Sequence, residues 1–545
     1  MNSATLEIVL AYHERTKHQP NRFARSLGYL DWDTQPDSFR RYAGTELSQL
    51  AEIPLAVGPA YNALFEAGYI PAERICHISI SQLFYDCLAL SAWKAFGGNR
   101  WSLRCNPSSG NLHPTEGYLI AGPIPELSDH PACFHYQPFL HALEKRAALS
   151  DDLWDAISSG LPENAILVGL SSIYWRESWK YGERAFRYCQ HDVGHAIAAI
   201  AFAAAALGWE TRMLPGVTDR WLGRLLGVDQ QHGSEAEHPD CLLALYPQDQ
   251  TLPPDLQRRF TMPDLPTLDL QGQPNGLSDD HYSWPVIDEV SEATVQDTPS
   301  PPDFYWVPSS SSSRPPSPAR PLSARKAIRQ RRSAMSMDGS ARLSRGAFYQ
   351  MMRRTLPGSN PPLAAIPWRP AIHLALFVHR VDDLPAGLYL LVRDPEQLAA
   401  LQSAMQDDFL WQKSPACPDD LSLWLLVRQD VQDVARSFSC NQDIAADGAF
   451  AVAMIAEFEP SLHTYGSWFY KRLHWEAGAI GQILYLEAEA ATLRGCGIGC
   501  FFDDAVHQAL GLNDRRYQIL YHFTIGGPIE DDRLQTLPAY WHLEK

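Results

Sequence analysis

The sequence predicts an α+β protein made of two similar domains that are joined by a linker. Three observations predict this architecture: a length of 545 residues, a Pro- and Ser-rich stretch near the middle, and landmarks that recur at one fixed offset on its two sides. Single hydrophobic cores stop growing at roughly 250–300 residues, so this chain is expected to form more than one domain. Hydrophobic residues at 45% and charged residues at 20% are typical of a globular protein.

The linker is predicted over residues 266–322, which include the runs TPSPPD and VPSSSSSRPPSPARP. Pro and Ser at this density bury too little apolar surface to offset the entropy lost when a chain is ordered, so little regular structure is expected here. The linker divides the chain into a predicted N-terminal domain, residues 1–265, and a predicted C-terminal domain, residues 323–545.

The two halves have the pattern of two copies of one domain. Each contains a long helix rich in small residues that opens near a His, HDVGHAIAAIAFAAAALGW in the first half and HWEAGAIGQILYLEAEAATLRG in the second. A fused duplicate is expected to pack as the intramolecular form of a two-fold dimer, and such a pseudo-dimer needs no second chain. One offset of 284 positions separates three pairs of landmarks: Gly194 and Gly478, Asp219 and Asp503, and Gly227 and Gly511.

Each half is predicted to combine buried strands with a buried central helix. The central helices are apolar nearly all round, which predicts burial on every face. Helices and strands alternate irregularly, and this favours an α+β domain over a doubly wound parallel sheet. Four apolar runs are predicted to be strands: Ala165–Ser171, Leu242–Tyr246, Ile372–Val378 and Leu421–Val427.

Charge and hydropathy limit the expected partners and location of the chain. The net charge of −18 argues against nucleic acid as a partner, because no basic face can dominate the surface, and an anionic cofactor must be held by a local basic cluster. The N-terminal segment has no continuous apolar core that would mark a secretory signal. The most apolar stretch, Ala196 to Leu207, is shorter than the roughly 18–20 residues of a membrane span, so a cytoplasmic location off the membrane is expected.

No metal site is predicted. The ten Cys form no CxxC pair and are expected to be scattered reduced thiols, with Cys496 and Cys500 as small buried residues of a Gly-rich loop. His191 and His195 lie one helical turn apart, as in the HExxH zinc motif. Asp192 is one methylene shorter than the Glu of that motif, and no third ligand is recognisable, so a structural or substrate-side role is favoured over a zinc hydrolase.

The first candidate anion site is Arg331-Arg332-Ser333, where the linker ends. Two guanidinium groups and a hydroxyl suit a phosphate monoester, which carries close to two negative charges and several acceptors. The alternative is a solvated basic stretch, since further basic residues lie just before it.

A turn formed by Pro107-Ser108-Ser109-Gly110-Asn111 is the candidate for contact with a polar ring. It carries two hydroxyls and an amide, which can donate to and accept from the edge of a heterocycle. An ordinary capped turn before a strand is the alternative.

A glycine-rich segment that contains Gly497-Ile498-Gly499 is the third candidate. Glycines let the backbone approach a ligand closely, and N–H groups there can donate to a ring nitrogen. As a dinucleotide fingerprint the segment is weak, because its G-x-G-x-G spacing follows a helix. Further on, Arg533 follows the run TIGGP and is predicted to add one phosphate contact.

Several phrases resemble the SagB/ThcOx-type branch of the nitroreductase family: YHERTKH, LDWDTQP, NPSSGNLHPTEGYL and ERAFRYCQHDVGHA in the first half, and GIGCFFDD and YHFTIGGP in the second. The resemblance covers nearly the whole chain outside the linker. It implies two domains, each with a mainly antiparallel central sheet flanked by helices, packed as an intrachain pseudo-dimer with FMN in the groove between them. It also implies that an Arg-Arg-Ser segment binds the phosphate and that a Pro-Ser-Ser-x-Asn loop reaches the flavin from the other domain.

The two FMN-binding segments that the resemblance implies are divided between the two halves of the chain. The second half has Arg331, Arg332 and Ser333 but reads IPWRPAIHLAL where the Pro-Ser-Ser loop is expected. The first half has that loop, but only Arg40 and Arg41 stand where a phosphate segment is expected. One complete FMN site and one degenerate mirror-related site are therefore expected, and substitutions at Arg40 or Arg41 should affect FMN binding less than substitutions at Arg331 or Arg332.

The resemblance implies an FMN-dependent oxidoreductase that acts by hydride transfer on a small molecule or a modified peptide. Lys180 and Tyr181 are the candidate proton-handling pair, because azoline-oxidising members of the branch use a Lys and a Tyr beside the flavin. A surface Lys beside a core Tyr is the alternative for this pair. A flavin-less duplicated scaffold that binds a partner or a small ligand is the rival function.

Overall fold

The computed structural model describes residues 3–53, 58–66, 68–250, 260–301, 304–306, 322–358 and 360–544. Two seven-stranded sheets form its centre. Strands of the N-terminal half are β1 (Tyr42–Ala43), β2 (Leu47–Gln49), β3 (Leu90–Phe96), β4 (Asn99–Arg104), β5 (Thr115–Ala121), β6 (Ala132–Gln137), β7 (Ala142–Ala148), β8 (Ile166–Ile173), β9 (Trp209–Met213), β10 (Glu237–Pro247) and β11 (Gln273–Pro274). Those of the C-terminal half are β12 (Ile372–Val378), β13 (Gly387–Leu391), β14 (Gln412–Lys413), β15 (Leu423–Val427), β16 (Phe450–Glu457), β17 (Arg494–Ile498), β18 (Tyr517–Gly526) and β19 (Gln535–Leu537).

Helices flank both sheets, and no helix in the described parts of the chain is long and apolar enough to cross a membrane. Helices of the N-terminal half are α1 (Ser3–Arg15), α2 (His77–Cys87), α3 (Asp151–Ser158), α4 (Tyr174–Tyr181), α5 (Ala185–Ala205), α6 (Asp219–Leu226) and α7 (Pro285–Ala293). Those of the C-terminal half are α8 (Ala324–Gln330), α9 (Arg345–Arg354), α10 (Leu398–Ala404), α11 (Gln432–Phe438), α12 (Ile444–Asp447), α13 (Glu459–Tyr465), α14 (Phe469–Ala490) and α15 (Asp503–Leu510).

The two sheets share one strand topology. Their spatial orders are β2-β7-β6-β5-β8-β10-β9 and β14-β15-β13-β12-β16-β18-β17. The first long strand of each sheet, β5 or β12, therefore lies at its centre, and the strand after the long helix, β9 or β17, lies at an edge. All pairings in both are antiparallel. The predicted α+β class is confirmed, and the four apolar runs predicted to be strands lie in β8, β10, β12 and β15.

The central helices α5 and α14 pack against each other between the two sheets. Every residue of α5 is buried, as predicted from its small apolar side chains. A Cβ on Gly194 would collide with the carbonyl oxygen of Trp475, and a Cβ on Gly478 would collide with that of His191. Because Trp475 lies 284 positions after His191, these two contacts are equivalent under the offset found in the sequence.

A second pair of contacts follows the same symmetry. The Lys471 ammonium lies 2.6 Å from the Asp219 carboxylate, while the Arg187 guanidinium lies 3.0 Å from the Asp503 carboxylate. Arg187 and Lys471 are themselves 284 positions apart. Each half thus places a cation of its central helix on an acid at the start of α6 or α15 in the other half, as a pseudo-two-fold axis requires.

The segment predicted to be an unstructured linker contains regular structure in its described part. Strand β11 pairs with β1, and Pro285–Ala293 forms α7 with Val286, Ile287 and Val290 buried. Pro is well suited to the first turn of a helix, where its missing N–H is not needed. The prediction of little regular structure is wrong here, because the Pro- and Ser-rich runs begin at residue 298, after this amphipathic stretch. Residues 307–321 lie outside the described residues, and the domain limits stay a prediction.

Candidate active site

Arg331 joins the two halves at the end of α8. Its Nε–H donates to the carbonyl oxygen of Cys105 at 3.2 Å, and Nη2 donates to that of Arg104 at 3.2 Å. Its Nη1 is buried without a hydrogen-bond partner among the described residues. The guanidinium of the C-terminal half is therefore fixed directly beside the start of the Pro107–Asn111 turn of the N-terminal half.

Ser333 connects Arg331 to the glycine-rich segment. Its Oγ lies 2.8 Å from the Tyr485 hydroxyl, which accepts a hydrogen bond of 2.9 Å from the Gly497 N–H. Ser333 also forms a parallel bridge with Gly495 of β17. Ser333 is an exposed residue, and these contacts hold its hydroxyl against the buried Tyr485.

The predicted glycine-rich loop is partly an edge strand. Gly497 and Ile498 belong to β17 and pair with Phe523 and His522 of β18, while Gly499 follows the strand. A Cβ on Gly497 would collide with the Tyr521 hydroxyl, and a Cβ on Gly499 would collide with the Tyr188 ring. Glycine is needed at both positions because aromatic side chains from two elements approach the backbone closely.

The Pro107–Asn111 turn is fastened to α5 by a buried acid. Both the N–H and the Oγ of Ser109 donate to the Asp192 carboxylate at 3.1 Å. Gly110 and Asn111 adopt left-handed conformations with φ of 60° and 62°. Burial raises the pKa of Asp192 to about 7. The carboxyl thus positions the turn and exchanges its proton near neutral pH.

Lys180 and Tyr181, at the end of α4, adjoin this turn. A Cβ on Gly110 would lie 2.5 Å from the Tyr181 hydroxyl and 3.2 Å from Lys180 Nζ. The Tyr181 ring contacts the Tyr188 ring edge-on, with centroids 4.7 Å apart. Burial, with Glu177 second, raises the pKa of Tyr181 well above its usual value, so the hydroxyl stays a proton donor.

The two His of the HDVGH segment contact aromatic residues. The ring of His191 stacks on Tyr521 with centroids 4.3 Å apart, and His195 Nε2 lies 3.1 Å from the Tyr521 hydroxyl. Burial lowers the pKa of His195 to about 3, which keeps its ring neutral. No group of three His, Cys, Asp or Glu side chains in the described part of the chain could hold a metal ion.

Arg533 lies away from the Arg331–Ser333 segment. Its guanidinium pairs with Asp531 at 2.8 Å and lies 5.6 Å from the Phe96 ring centroid, whereas Arg332 donates to the Ser91 carbonyl oxygen at 3.3 Å. Phe96 is five residues further along β3, or roughly 16 Å at the rise of a strand. The prediction of a phosphate contact from Arg533 does not agree with this position.

The mirror-related region is filled by side chains. There β9 carries Glu210, Thr211 and Arg212, and Arg212 pairs with Glu210 at 2.8 Å. These residues and Pro361 and Pro362 from the other half line a cavity of about 40 Å³. The cavity beside β9 therefore has space for little more than a few water molecules.

Arg40 and Arg41 lie outside this mirror-related region. Arg40 donates to the carbonyl oxygens of Asn275 and Glu235, and Arg41 pairs with Asp37. They hold the segment after α1 against residues 235–275, so the structure gives them a packing role in place of the phosphate role considered from the sequence.

The segments that meet in this site include a recognisable family domain. Residues 387–527 match the model of the nitroreductase family. The matched segment contributes β17, Tyr485 and Tyr521 to the site. Arg331 precedes it in the chain, and the Pro107–Asn111 turn comes from the other half. None of the curated proteins matches the chain.

Solved structures agree with this fold. The crystal structure of a candidate nitroreductase from Anabaena variabilis matches with a TM-score of 0.67 and 22% identity, over 96% of this chain and 99% of that one. A match to the E. coli microcin synthetase McbBCD complex has a TM-score of 0.25 and 18% identity, over 45% of this chain and 93% of that one. A match to an FMN-dependent nitroreductase from Clostridium difficile has a TM-score of 0.19 and 13% identity, over 37% of this chain and 86% of that one. The first match shows that both halves together form a known arrangement.

Three residues of the site could not be singled out from the sequence. Tyr485 and Tyr521 lie in an apolar helix and strand, where a Tyr has the pattern of a core residue. Asp192 was considered only as part of a zinc-like motif. Their roles arise from contacts between the halves, which local patterns do not record.

Proposed function

We propose that this chain is an FMN-dependent oxidoreductase of the SagB/ThcOx type, a tandem duplicate with one composite flavin site between its halves. The observation that carries the proposal is the position of Arg331. It binds the backbone next to the Pro107–Asn111 turn with two nitrogens, and its third nitrogen is buried and unpartnered. The reciprocal contacts of Gly194 and Gly478 support the duplication.

The residues present fit FMN. Arg331, Arg332 and Ser333 supply two guanidinium groups and a hydroxyl, the donors that a phosphate monoester requires. A buried donor such as Arg331 Nη1 is costly without a partner, and a phosphate oxygen would supply one. The ring edge would be held by backbone of Gly497, Ile498 and Gly499 and by the opposite turn: Pro107, Ser108, Ser109 and Asn111.

Flavin, when bound, accepts a hydride from one substrate and returns it to another. Residues of this chain around the proposed flavin position would donate protons or hold neighbouring groups in place. Tyr181 keeps its proton and can donate it at the phenol oxygen, with Lys180 Nζ beside it. Asp192 holds Ser109 in place, and the neutral ring of His195 orients the Tyr521 hydroxyl.

The proposed substrate is a small molecule or a modified peptide. Reduction of nitro, quinone or flavin-like acceptors and oxidation of a heterocycle in a peptide both fit the composite site. The halves already complete the site, so a monomer is proposed to be active, and nucleic acid is not a proposed partner given the charge of −18.

The proposal is tested with the purified full-length chain and its variants. We expect flavin absorbance bands, bleaching by an anaerobic reductant and recovery with a quinone. Arg331→Lys should weaken FMN binding at least tenfold, because one compact ammonium nitrogen cannot span the separate positions from which the three guanidinium nitrogens reach two carbonyl oxygens and a phosphate. Arg332→Gln should also weaken it, and Arg41→Gln should not. Dissociation constants come from quenching of FMN fluorescence, with circular dichroism to check folding.

A colourless chain that does not take up added FMN would overturn the proposal and favour the flavin-less binding scaffold. Equal FMN affinities of the Arg332→Gln and Arg41→Gln variants would overturn the assignment of the phosphate site.

A further inference from the structure

Two cysteines from separate segments meet beyond the end of β17. The Sγ atoms of Cys440 and Cys500 are 2.7 Å apart, and both residues are free and partly exposed. A disulfide has an S–S length of about 2.05 Å, so a small side-chain adjustment would join the two sulfurs. Neither residue has a place in the proposed flavin chemistry.

The backbone around the two thiols is fixed in this arrangement. Cys440 lies in the tight turn between α11 and α12, in a left-handed conformation with φ of 54°. The Gln442 side chain donates to the Cys500 carbonyl oxygen at 3.1 Å, and the Phe502 N–H donates to the Phe438 carbonyl oxygen at 2.8 Å. Hydrogen bonds on both sides of the pair therefore hold the two segments together whether or not the sulfurs are bonded.

The surroundings distinguish the two sulfurs. Hydrogen bonds from Cys440 and from the His18 ring, with the Arg184 charge nearby, lower the pKa of Cys500 well below its usual value. The same interaction with Cys500 raises the pKa of Cys440. The Ala24 N–H donates to His18 Nδ1 at 2.9 Å, which leaves the proton of a neutral ring on Nε2 as the donor.

Other charged groups near Cys500 are already neutralised or uncharged. Asp503 pairs with Arg184 and Arg187 at 3.0 Å, and burial keeps the Tyr188 phenol protonated by raising its pKa. By contrast, burial raises the pKa of Cys496, only four residues earlier, to about 12. The thiolate is the form of Cys that attacks disulfides, so Cys500 is the nucleophile and Cys440 the resolving thiol.

We propose that Cys440 and Cys500 form a redox-active dithiol that reduces low-molecular-weight disulfides by thiol–disulfide exchange. The Cys500 thiolate attacks one sulfur of the substrate, breaks its S–S bond and releases one thiolate, leaving a mixed disulfide. Cys440 loses its proton and attacks Cys500 Sγ, which releases the second thiolate. The proton of Cys440 passes to one product thiolate, the other product thiolate takes a proton from water, and two electrons pass from the protein to the substrate. The proposal holds whether or not flavin binds.

The test treats the reduced full-length chain with oxidised glutathione and follows thiols and intact mass. The wild type should lose two thiols without retaining glutathione, and peptide mapping should find Cys440 joined to Cys500. Cys440→Ser should retain one glutathione on Cys500, and Cys500→Ser should not react. Cys417→Ser, at another partly exposed Cys, is the control and should behave as the wild type.

The pH dependence gives a second measurement on the wild type alone. An ordinary thiol with a pKa near 8.5 reacts roughly 100-fold more slowly at pH 6 than at pH 8, because its thiolate fraction falls. The wild-type chain should slow by less than tenfold. Stable glutathione adducts on the wild type, a bond between other cysteines, or no loss of thiols would each overturn the proposal.

Discussion

The buried carboxyl of Asp192 holds the Pro107–Asn111 turn in place, and its titration makes the stability of the fold depend on pH. Its carboxylate accepts two hydrogen bonds from Ser109, and burial raises its pKa to about 7 from 3.8. The native state therefore keeps a proton that the unfolded chain releases above about pH 4. Since the native state then binds more protons, the stability contributed by this group falls as pH rises from about 4 to 7.

Asp192→Asn tests this directly. The amide oxygen can still accept from Ser109, but the group no longer titrates. Three pKa units correspond to about 4 kcal/mol. Between pH 4 and 7, the free energy of unfolding of the wild type should therefore fall by about that amount relative to that of the variant. Urea denaturation at several pH values measures it.

The surface variant Asp155→Asn, on the exposed side of α3, is the control and should follow the wild type. A constant difference between Asp192→Asn and the wild type across this range would show that Asp192 does not titrate as described.

At the scale of elements, the contact between α5 and α14 sets the distance between the two halves. Gly194 and Gly478 allow the helix backbones to touch, and a side chain at either position would meet a carbonyl oxygen of the facing helix. The helices also carry Asp192, Tyr485 and the cations of the reciprocal ion pairs. Their separation therefore controls the composite site.

Gly194→Ala should destabilise the chain by about 1–3 kcal/mol, the usual cost of overpacking a close-packed core. The matched control is Gly346→Ala in α9, an exposed helical position where an added Cβ meets no atom within 4 Å. That variant should be stabilised by up to about 1 kcal/mol, because Ala favours the helix. Thermal or urea unfolding measures both changes, and equal effects of the same sign would contradict the close contact.

The sequence was informative about elements and less so about their contacts. Apolar runs predicted β12 within its observed bounds and the burial of α5 on every side. It did not reveal α7, because Val286 and Ile287 were assigned to the linker on the evidence of the Pro- and Ser-rich runs that begin only at residue 298. It also did not show that Gly497 lies in a strand, since glycine carries no strand propensity and the edge position of β17 depends on β18.

Across the whole molecule, the two halves repeat one sheet topology, whereas the proposed flavin site is asymmetric. Arg331 and Cys105 are 226 positions apart, and their contact depends on how both halves pack. The resemblance to the nitroreductase family indicated that Arg331–Ser333 and the Pro107–Asn111 turn bind one ligand. Local sequence patterns alone did not distinguish these roles from a solvated basic stretch and an ordinary capped turn. The position of Arg533 could not be predicted, because the sequence does not show that its guanidinium pairs with Asp531 and lies near Phe96.

Of the two symmetry-related regions, only the one that contains Arg331 is proposed to bind flavin. The most direct measurement is release of the flavin from purified protein and its quantification per chain after saturation with FMN. We predict one FMN per chain, since β9 and its neighbours leave a cavity of about 40 Å³ at the mirror-related position. Two FMN per chain, or none, would contradict the account.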